Sequence, residues 1–189
     1  MNQNQESREA IPGDTFILVA PTAQELHLLQ QKQLGFKKQY GGQIVNHIHI
    51  TSERFSPIGA VFPKECAAVL KDRIANMVPF PVFADALIQF HARYWNSHVL
   101  RWRVQDTGTW VNFRRILAKT LKEIACPSHF NRHRRSTCPI LTLDNPITLH
   151  EKNHAPNFPQ KLFTAKEVYI SQLNENHLFE IIETVQLSG

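Results

Sequence analysis

Two histidines and a threonine in the segment 46–51 are the residues of this chain best suited to acid–base chemistry. The segment contains no strand breaker, and its mix of isoleucine, threonine and histidine predicts a β-strand over residues 43–51. Successive side chains of a strand point to opposite faces, so His47, His49 and Thr51 would share one face and two isoleucines the other. Imidazoles exchange protons near neutral pH. The pattern therefore favours the wall of a cleft over an edge strand with surface histidines.

The length and composition bound the kind of protein. The chain has 189 residues, of which 42% are hydrophobic and 20% charged, as is typical of a globular protein with one core or two small lobes sharing it. No apolar run reaches the length that crosses a bilayer, so no membrane partner is expected. The polar start predicts a disordered tail over residues 1–12 and a single domain over residues 13–189. We expect a monomer.

Three cysteines, Cys66, Cys126 and Cys138, form no Cys-x-x-Cys pair. Their odd number disfavours a disulfide framework and favours a reducing cytoplasm. With His129 and His133, the last two cysteines have spacings at which thiolates and imidazoles can close a tetrahedral zinc site. A histidine-rich basic loop with two unrelated cysteines is the interpretation we favour, so no metal is expected.

The remaining chain alternates short strands with amphipathic helices. Two strand–helix–strand units recur, one ending at the histidine segment and one at the segment 138–143. The predicted fold is therefore α+β, with two pseudo-symmetric lobes of antiparallel sheet, helices outside, and a central groove between them. The expected elements are a strand at 16–20, helices at 22–35, 63–78 and 109–124, a hairpin of strands 82–94 and 99–104, a strand at 138–143, a connector at 144–160, and strands at 167–171 and 179–187.

Basic residues gather at two places. Arg101 and Arg103 alternate with Leu100, Trp102 and Val104, so both arginines would lie on one face of a strand. A second group, which includes Arg134 and Arg135, lies in the loop 128–137. With a net charge of +5, these arginines predict a rim that binds a phosphate-bearing partner such as an RNA end. The alternative is an ordinary solvated surface.

The chain resembles the 2H phosphoesterase superfamily, which includes 2′-5′ RNA ligases and 2′,3′-cyclic nucleotide phosphodiesterases. His49-Ile50-Thr51 matches the first His-x-Thr motif of that family. The opening strand FILVAP, the segment 92–102 before the long helix, and the segments 163–171 and 179–183 are similar to the family's strands. The resemblance extends from Phe16 to Leu187.

The second motif departs from the family pattern. Where the family has Pro-His-x-Thr-Leu, the segment 139–143 reads Pro-Ile-Leu-Thr-Leu, so that Thr142 is retained and Ile140 replaces the histidine. A rival alignment to the segment 145–149 places Pro146 at the histidine position. We prefer the first alignment, because it follows the helix and loop directly.

The resemblance implies a metal-independent reaction without a cofactor on 2′,3′-cyclic phosphates or on 2′-5′-linked RNA or nucleotide ends. His49 would be the acid–base group, and Thr51 and Thr142 would hold phosphate oxygens. Because Ile140 cannot transfer a proton, either catalysis is impaired or another group substitutes. His47, which would otherwise lie at the groove rim, is the first candidate for a substitute and for substrate binding; His150 is the second.

Two alternatives to an active enzyme follow from the replaced histidine. One is a catalytically inactive relative that binds RNA ends or nucleotides in the same groove. The other is an interaction protein that has kept the fold alone. The joint presence of His49, Thr51 and Thr142 disfavours the latter.

Overall fold

The computed structural model describes residues 10–56, 63–92, 96–126, 128–129, 135–149, 158–176 and 178–189. These residues form nine strands and three helices. None of the helices in this part of the chain has the length and apolar character needed to span a membrane. In chain order the elements are β1 (Thr15–Val19), α1 (Ala23–Tyr40), β2 (Gln43–Ile44), β3 (Ile50–Phe55), α2 (Pro63–Ile74), β4 (Phe80–Ala92), β5 (Ser97–Val104), α3 (Gly108–Glu123), β6 (Thr137–Leu143), β7 (Gln160–Ala165), β8 (Glu167–Leu173) and β9 (Phe179–Gln186).

The strands build two sheets, and every pairing within them is antiparallel. One sheet has the order β3-β1-β8-β9, and the other has the order β2-β6-β5-β4-β7. One hydrophobic core takes buried side chains from both sheets and from all three helices. The predicted α+β class with two antiparallel sheets is confirmed.

Strand β1 of the four-stranded sheet is apolar on both faces. Ile17 and Val19 of β1 join the main core, whereas Phe16 and Leu18 form a second apolar cluster with Leu173 on the opposite face. This division follows from the alternation of side chains along a strand. A strand buried on both sides explains the uninterrupted apolar run that predicted it.

The three helices lie where the sequence predicted them, but two of their ends differ. α2 was predicted to reach residue 78 and ends at Ile74. A capping box joins Thr22 and Glu25 at the start of α1, and α3 buries Trp110, Phe113, Leu117 and Leu121 at three- and four-residue steps. The end of α1 was predicted at Gly35 and is wrong, because the helix continues to Tyr40 and ends at Gly41, whose φ is 75°. Glycine within a helix costs only about 1 kcal/mol, and Phe36 and Tyr40 pack against the core beyond it.

The predicted strand over residues 43–51 is also wrong. β2 pairs with β6 in the five-stranded sheet, whereas β3 pairs with β1 in the four-stranded sheet. Residues 45–49 cross from one sheet to the other, so His47 and His49 do not share a strand face. His47 is exposed, whereas His49 is half-buried.

The end of the chain contains a strand that the sequence did not reveal. β7 pairs with β4 at the edge of the five-stranded sheet, while β8 and β9 belong to the other sheet. The predicted connector ended where β7 begins, and residues 150–157 of it lie outside the described part of the chain. Most of the predicted tail, residues 1–9, also lies outside it.

Candidate active site

His49 lies at the end of the crossing segment, immediately before β3. Its ring nitrogen Nδ1 is 2.9 Å from the carbonyl oxygen of His47. A carbonyl oxygen can only accept a hydrogen bond, so Nδ1 carries the proton and donates it. Nε2 of the neutral ring is therefore the nitrogen with a free lone pair, and His49 is oriented as a proton acceptor.

The surroundings of His49 favour its neutral form. Burial lowers the pKa of His49, and electrostatic interactions with Arg101 and His47 lower it further, while the hydrogen bond to the His47 carbonyl acts in the opposite direction. The net pKa is below its ordinary value. A histidine of this kind is uncharged at neutral pH and can accept a proton from water or a hydroxyl group.

The ring of Phe179, from the edge strand β9 of the four-stranded sheet, packs against His49. The centroid of the Phe179 ring lies 5.5 Å from that of His49 in an edge-to-face arrangement. Phe179 also contacts Phe16 at 5.0 Å and remains 40% exposed. Thr51 is the partner of Leu18, so it lies on the same face as this second apolar cluster.

Arg101 of β5 is the charged residue of the five-stranded sheet that lowers the pKa of His49. Its Nη1 donates to Oγ1 of Thr137 at 3.1 Å, and its guanidinium carbon lies 5.2 Å from the centre of the Phe90 ring. Strand partners share a face. We therefore give the name arginine face to the surface that includes Ala86, Ile88, Phe90, Val99, Arg101, Arg103, Thr137, Pro139 and Thr142.

The two residues of the second motif separate at a β-bulge. Arg101 is the partner of Pro139 and Leu100 is the partner of Leu141, so Ile140 is the extra residue between them. The Ile140 side chain is 0% exposed and belongs to the main core. Thr142 lies on the arginine face, half-buried, and its Oγ1 donates to the Gln43 carbonyl at 3.4 Å. The position that would hold a histidine therefore points away from Arg101.

The other predicted arginines are held by carboxylates. Nε of Arg103 lies 2.7 Å from Asp85, and Nη1 of Arg135 lies 2.5 Å from the same carboxylate. Arg135 also contacts Asp106 at 3.3 Å. Two positive and two negative charges thus meet beside the arginine face. Arg134 lies outside the described residues.

Comparison with solved structures identifies the fold. A protein solved as a phosphoesterase aligns with a TM-score of 0.63 at 16% identity, covering 94% of this chain and all of that one. Escherichia coli LigT in complex with 3′-AMP aligns with a TM-score of 0.63 at 14% identity, covering 95% of this chain and all of LigT. The Thermus thermophilus protein TT0787 gives 0.63 at 15% identity, covering 93% and 98%.

The chain has the fold of the 2H phosphoesterases. Neither protein-family models nor curated protein sequences match it, so the likeness is one of structure. The predicted fold of this superfamily is confirmed. The preferred alignment of the second motif lies on β6, whereas the rival segment 145–149 belongs to no strand.

One residue that sequence reasoning missed holds the two motif segments of this 2H fold together. Gln33 of α1 is fully buried, and its Nε2 donates to the carbonyls of Val45 at 3.0 Å and Ile140 at 2.9 Å. The Val45 amide also donates to the Ile140 carbonyl at 3.1 Å. One side chain thus fixes the segment that leads to His49 against the bulge of β6. A glutamine among several in an amphipathic helix carries no sequence signal of this role.

The zinc-site alternative finds no support among the described residues, where no cluster of three metal-binding side chains occurs. Cys126 lies 3.3 Å from Cys66, sulfur to sulfur. Burial raises the pKa of Cys138 to about 12, which disfavours the thiolate that binds zinc. His129 contacts Oγ of Ser56 at 3.0 Å. His133 and His150, the second candidate for a substitute acid or base, lie outside the described residues.

Proposed function

We propose that this protein is a metal-independent phosphodiesterase that acts slowly on 2′,3′-cyclic phosphates or 2′-5′-linked nucleotide ends. The observation that carries the proposal is His49, an imidazole that is fixed through Nδ1 and whose pKa lies below its ordinary value, in a 2H phosphoesterase fold. His49 would take the proton of the attacking water through Nε2.

The phosphate would be bound by a charge and two hydroxyl groups. Arg101 already acts electrostatically on His49, and a guanidinium is the group best suited to hold phosphate oxygens. Thr51 lies two residues after His49, and Thr142, the strand partner of Val99, lies on the same face as Arg101. In the transition state these donors would stabilise the charge that grows on the phosphoryl oxygens.

The charge distribution favours a small nucleotide or an RNA end over a long nucleic-acid backbone. Arg103 and Arg135 are paired with Asp85 and Asp106, so together they contribute little net positive potential around the site. Phe179 and Phe90 expose ring surface on which a base could stack. LigT has been solved with 3′-AMP, ATP and NADP⁺, which makes nucleotides the first ligands to test.

Two further proposals concern the cellular location and the oligomeric state of the protein. We infer a reducing cytoplasm as the location, because Cys66, Cys126 and Cys138 are free thiols. We also infer that the protein acts as a monomer, since both sheets already share one core within a single chain.

The proposal is tested with purified protein and a panel of 2′,3′-cyclic nucleotides, 2′-5′ dinucleotides and RNA with a cyclic phosphate end. Turnover should be lost in His49→Ala and kept in His27→Ala. His27 is a matched control, because it lies exposed on α1, where its ring contacts the side chain of Gln31. Equal rates for wild type and His49→Ala on every substrate would reject the proposed activity.

A nucleotide-binding protein without turnover is the second candidate, favoured by the burial of Ile140 in the core. Calorimetric titration with 3′-AMP separates the two. Binding that depends on Arg101, together with no His49-dependent hydrolysis, would identify this second function.

A further inference from the structure

We infer that Phe179 is a positioning residue for His49, whose aromatic ring sets the direction in which Nε2 of the imidazole points. The inference deepens the proposed function and rests on it for the role of His49. The two residues come from opposite edges of the four-stranded sheet, since Phe179 begins β9 and His49 immediately precedes β3. Their contact is therefore made by side-chain packing and not by the pairing of neighbouring strands.

The hydrogen bond of His49 fixes one atom of its ring. Nδ1 donates to the His47 carbonyl at 2.9 Å. The outer side-chain torsion of a histidine has a broad energy profile, so the ring can turn about this bond and carry Nε2 with it. A contact with the ring itself is what converts a fixed atom into a fixed direction.

Phe179 makes such a contact. The centroids of the two rings are 5.5 Å apart and their planes are inclined by 78°. This arrangement lies within the range of about 4.5–7 Å that edge-to-face aromatic pairs prefer. The free energy of such a pair corresponds to a factor of about 2–12 in favour of the ring orientation that makes it.

Phe179 is itself held in place. Its ring packs on that of Phe16 at 5.0 Å, and its strand partner is Leu173 of the second apolar cluster. The turn before it is closed by Asn174, whose amide donates to the Leu178 carbonyl at 2.9 Å and whose Oδ1 accepts from the Leu178 amide at 2.9 Å. A ring fixed in this way can hold a neighbouring imidazole.

The same ring contributes to the burial of His49. Burial is the largest of the causes that lower the pKa of His49, ahead of the interactions with Arg101 and His47. A smaller side chain at position 179 admits water to the imidazole and stabilises its charged form, so the pKa should rise towards its ordinary value. The pKa of His49 is thus a measure of the contact that needs no substrate.

The experiment compares ring-free and ring-bearing variants of Phe179. Phe179→Leu and Phe179→Met keep an apolar side chain and remove the ring. Phe179→Tyr keeps the ring, and its hydroxyl group can extend into solvent because Phe179 is 40% exposed. Ile181→Ala is the matched control, since Ile181 lies two residues further along the same strand and is 61% exposed.

Nuclear magnetic resonance of ¹⁵N-labelled histidine reports the pKa and the tautomer of His49, whose signals are those missing in His49→Asn. Both ring-free variants should raise the pKa and turn the Nδ1-protonated tautomer into a mixture. Phe179→Tyr and Ile181→Ala should keep the wild-type values. A wild-type pKa and a wild-type tautomer in both ring-free variants would overturn the inference.

Kinetics with 2′,3′-cyclic AMP separates positioning from base stacking. Phe179→Leu should lower kcat by about 2–12-fold, with a smaller change in KM, and Phe179→Tyr should restore the wild-type kcat. A raised KM with a wild-type kcat would overturn the inference, because Phe179 would then hold the substrate and not His49. The proposed function fails differently, since wild type and His49→Ala would then hydrolyse the substrate equally while the magnetic resonance result stays as expected.

Discussion

Ile140→His is the variant that the family motif suggests for restoring catalysis, and the structure predicts that it fails. Ile140 is fully buried in the main core. Removing the apolar contribution of a buried isoleucine costs about 1.5–3 kcal/mol, and burying an imidazole without a hydrogen-bond partner costs about 1–3 kcal/mol more. The sum is about 2.5–6 kcal/mol, which is a large part of the roughly 5–15 kcal/mol that stabilises an ordinary domain.

Urea unfolding measures this loss, with the fluorescence of the buried Trp102 and Trp110 as the signal. Ile140→Val is the matched control, because it keeps the site apolar and should cost only about 0.5–1.5 kcal/mol. We expect Ile140→His to lower the urea midpoint strongly and to leave cyclic-phosphate turnover no higher than in wild type.

A stable variant that gains activity would refute this prediction. If Ile140→His unfolds within about 1 kcal/mol of wild type, the side chain at position 140 is not confined to the core. If it also raises the turnover of 2′,3′-cyclic AMP and adds a falling alkaline limb to the pH profile, position 140 faces the substrate and the β-bulge is wrongly placed.

Three further predictions concern the residues around His49. Arg101→Gln removes a positive charge that lowers the pKa of His49, so the rising limb of the pH profile of kcat/KM should move to higher pH. The exposed control Arg115→Gln should leave this limb unchanged, and an unchanged limb in Arg101→Gln would show that Arg101 does not act on His49. Gln33→Leu leaves the Val45 carbonyl without its donor, which should lower the free energy of unfolding in urea by about 1–3 kcal/mol and should lower kcat while changing KM less. A wild-type stability together with a wild-type kcat would contradict a positioning role for Gln33. His47→Ala keeps the backbone carbonyl that holds His49, so the rate of hydrolysis should change less than about tenfold, whereas removing a working acid or base lowers the rate by about 10²–10⁴-fold. A loss as complete as that in His49→Ala would make His47 the second catalytic group.

Several features of the fold could be predicted from the sequence because they depend on near neighbours. The capping box of α1 joins Thr22 to Glu25 within one helical turn. The buried stripe of α3 repeats at three- and four-residue steps. Alternation along β5 placed Arg101 and Arg103 on one face and buried Trp102 on the other. In each case the physical cause lies within a few residues of the chain.

The site depended on partners that are distant in the sequence. The segment 43–51 alternates like one strand, yet it divides because β2 finds its partner in β6 and β3 finds its partner in β1. No local pattern reveals which sheet a strand joins. Gln33 likewise gives no local signal, because its amide donates to the carbonyl of Ile140, which is 107 residues away in the sequence.

The residue types alone establish which chemistry is available: one histidine and one threonine in the first motif, a threonine without a histidine in the second, and an arginine on the neighbouring strand. How that chemistry is arranged became visible only in the folded chain. The register between β5 and β6 turns Ile140 into the core, and the crossing segment points one nitrogen of His49 at a carbonyl. The register of β6 and the path of the crossing segment are set by packing between whole strands and helices. The sequence therefore reveals which residue types are present, but not the directions in which their side chains point.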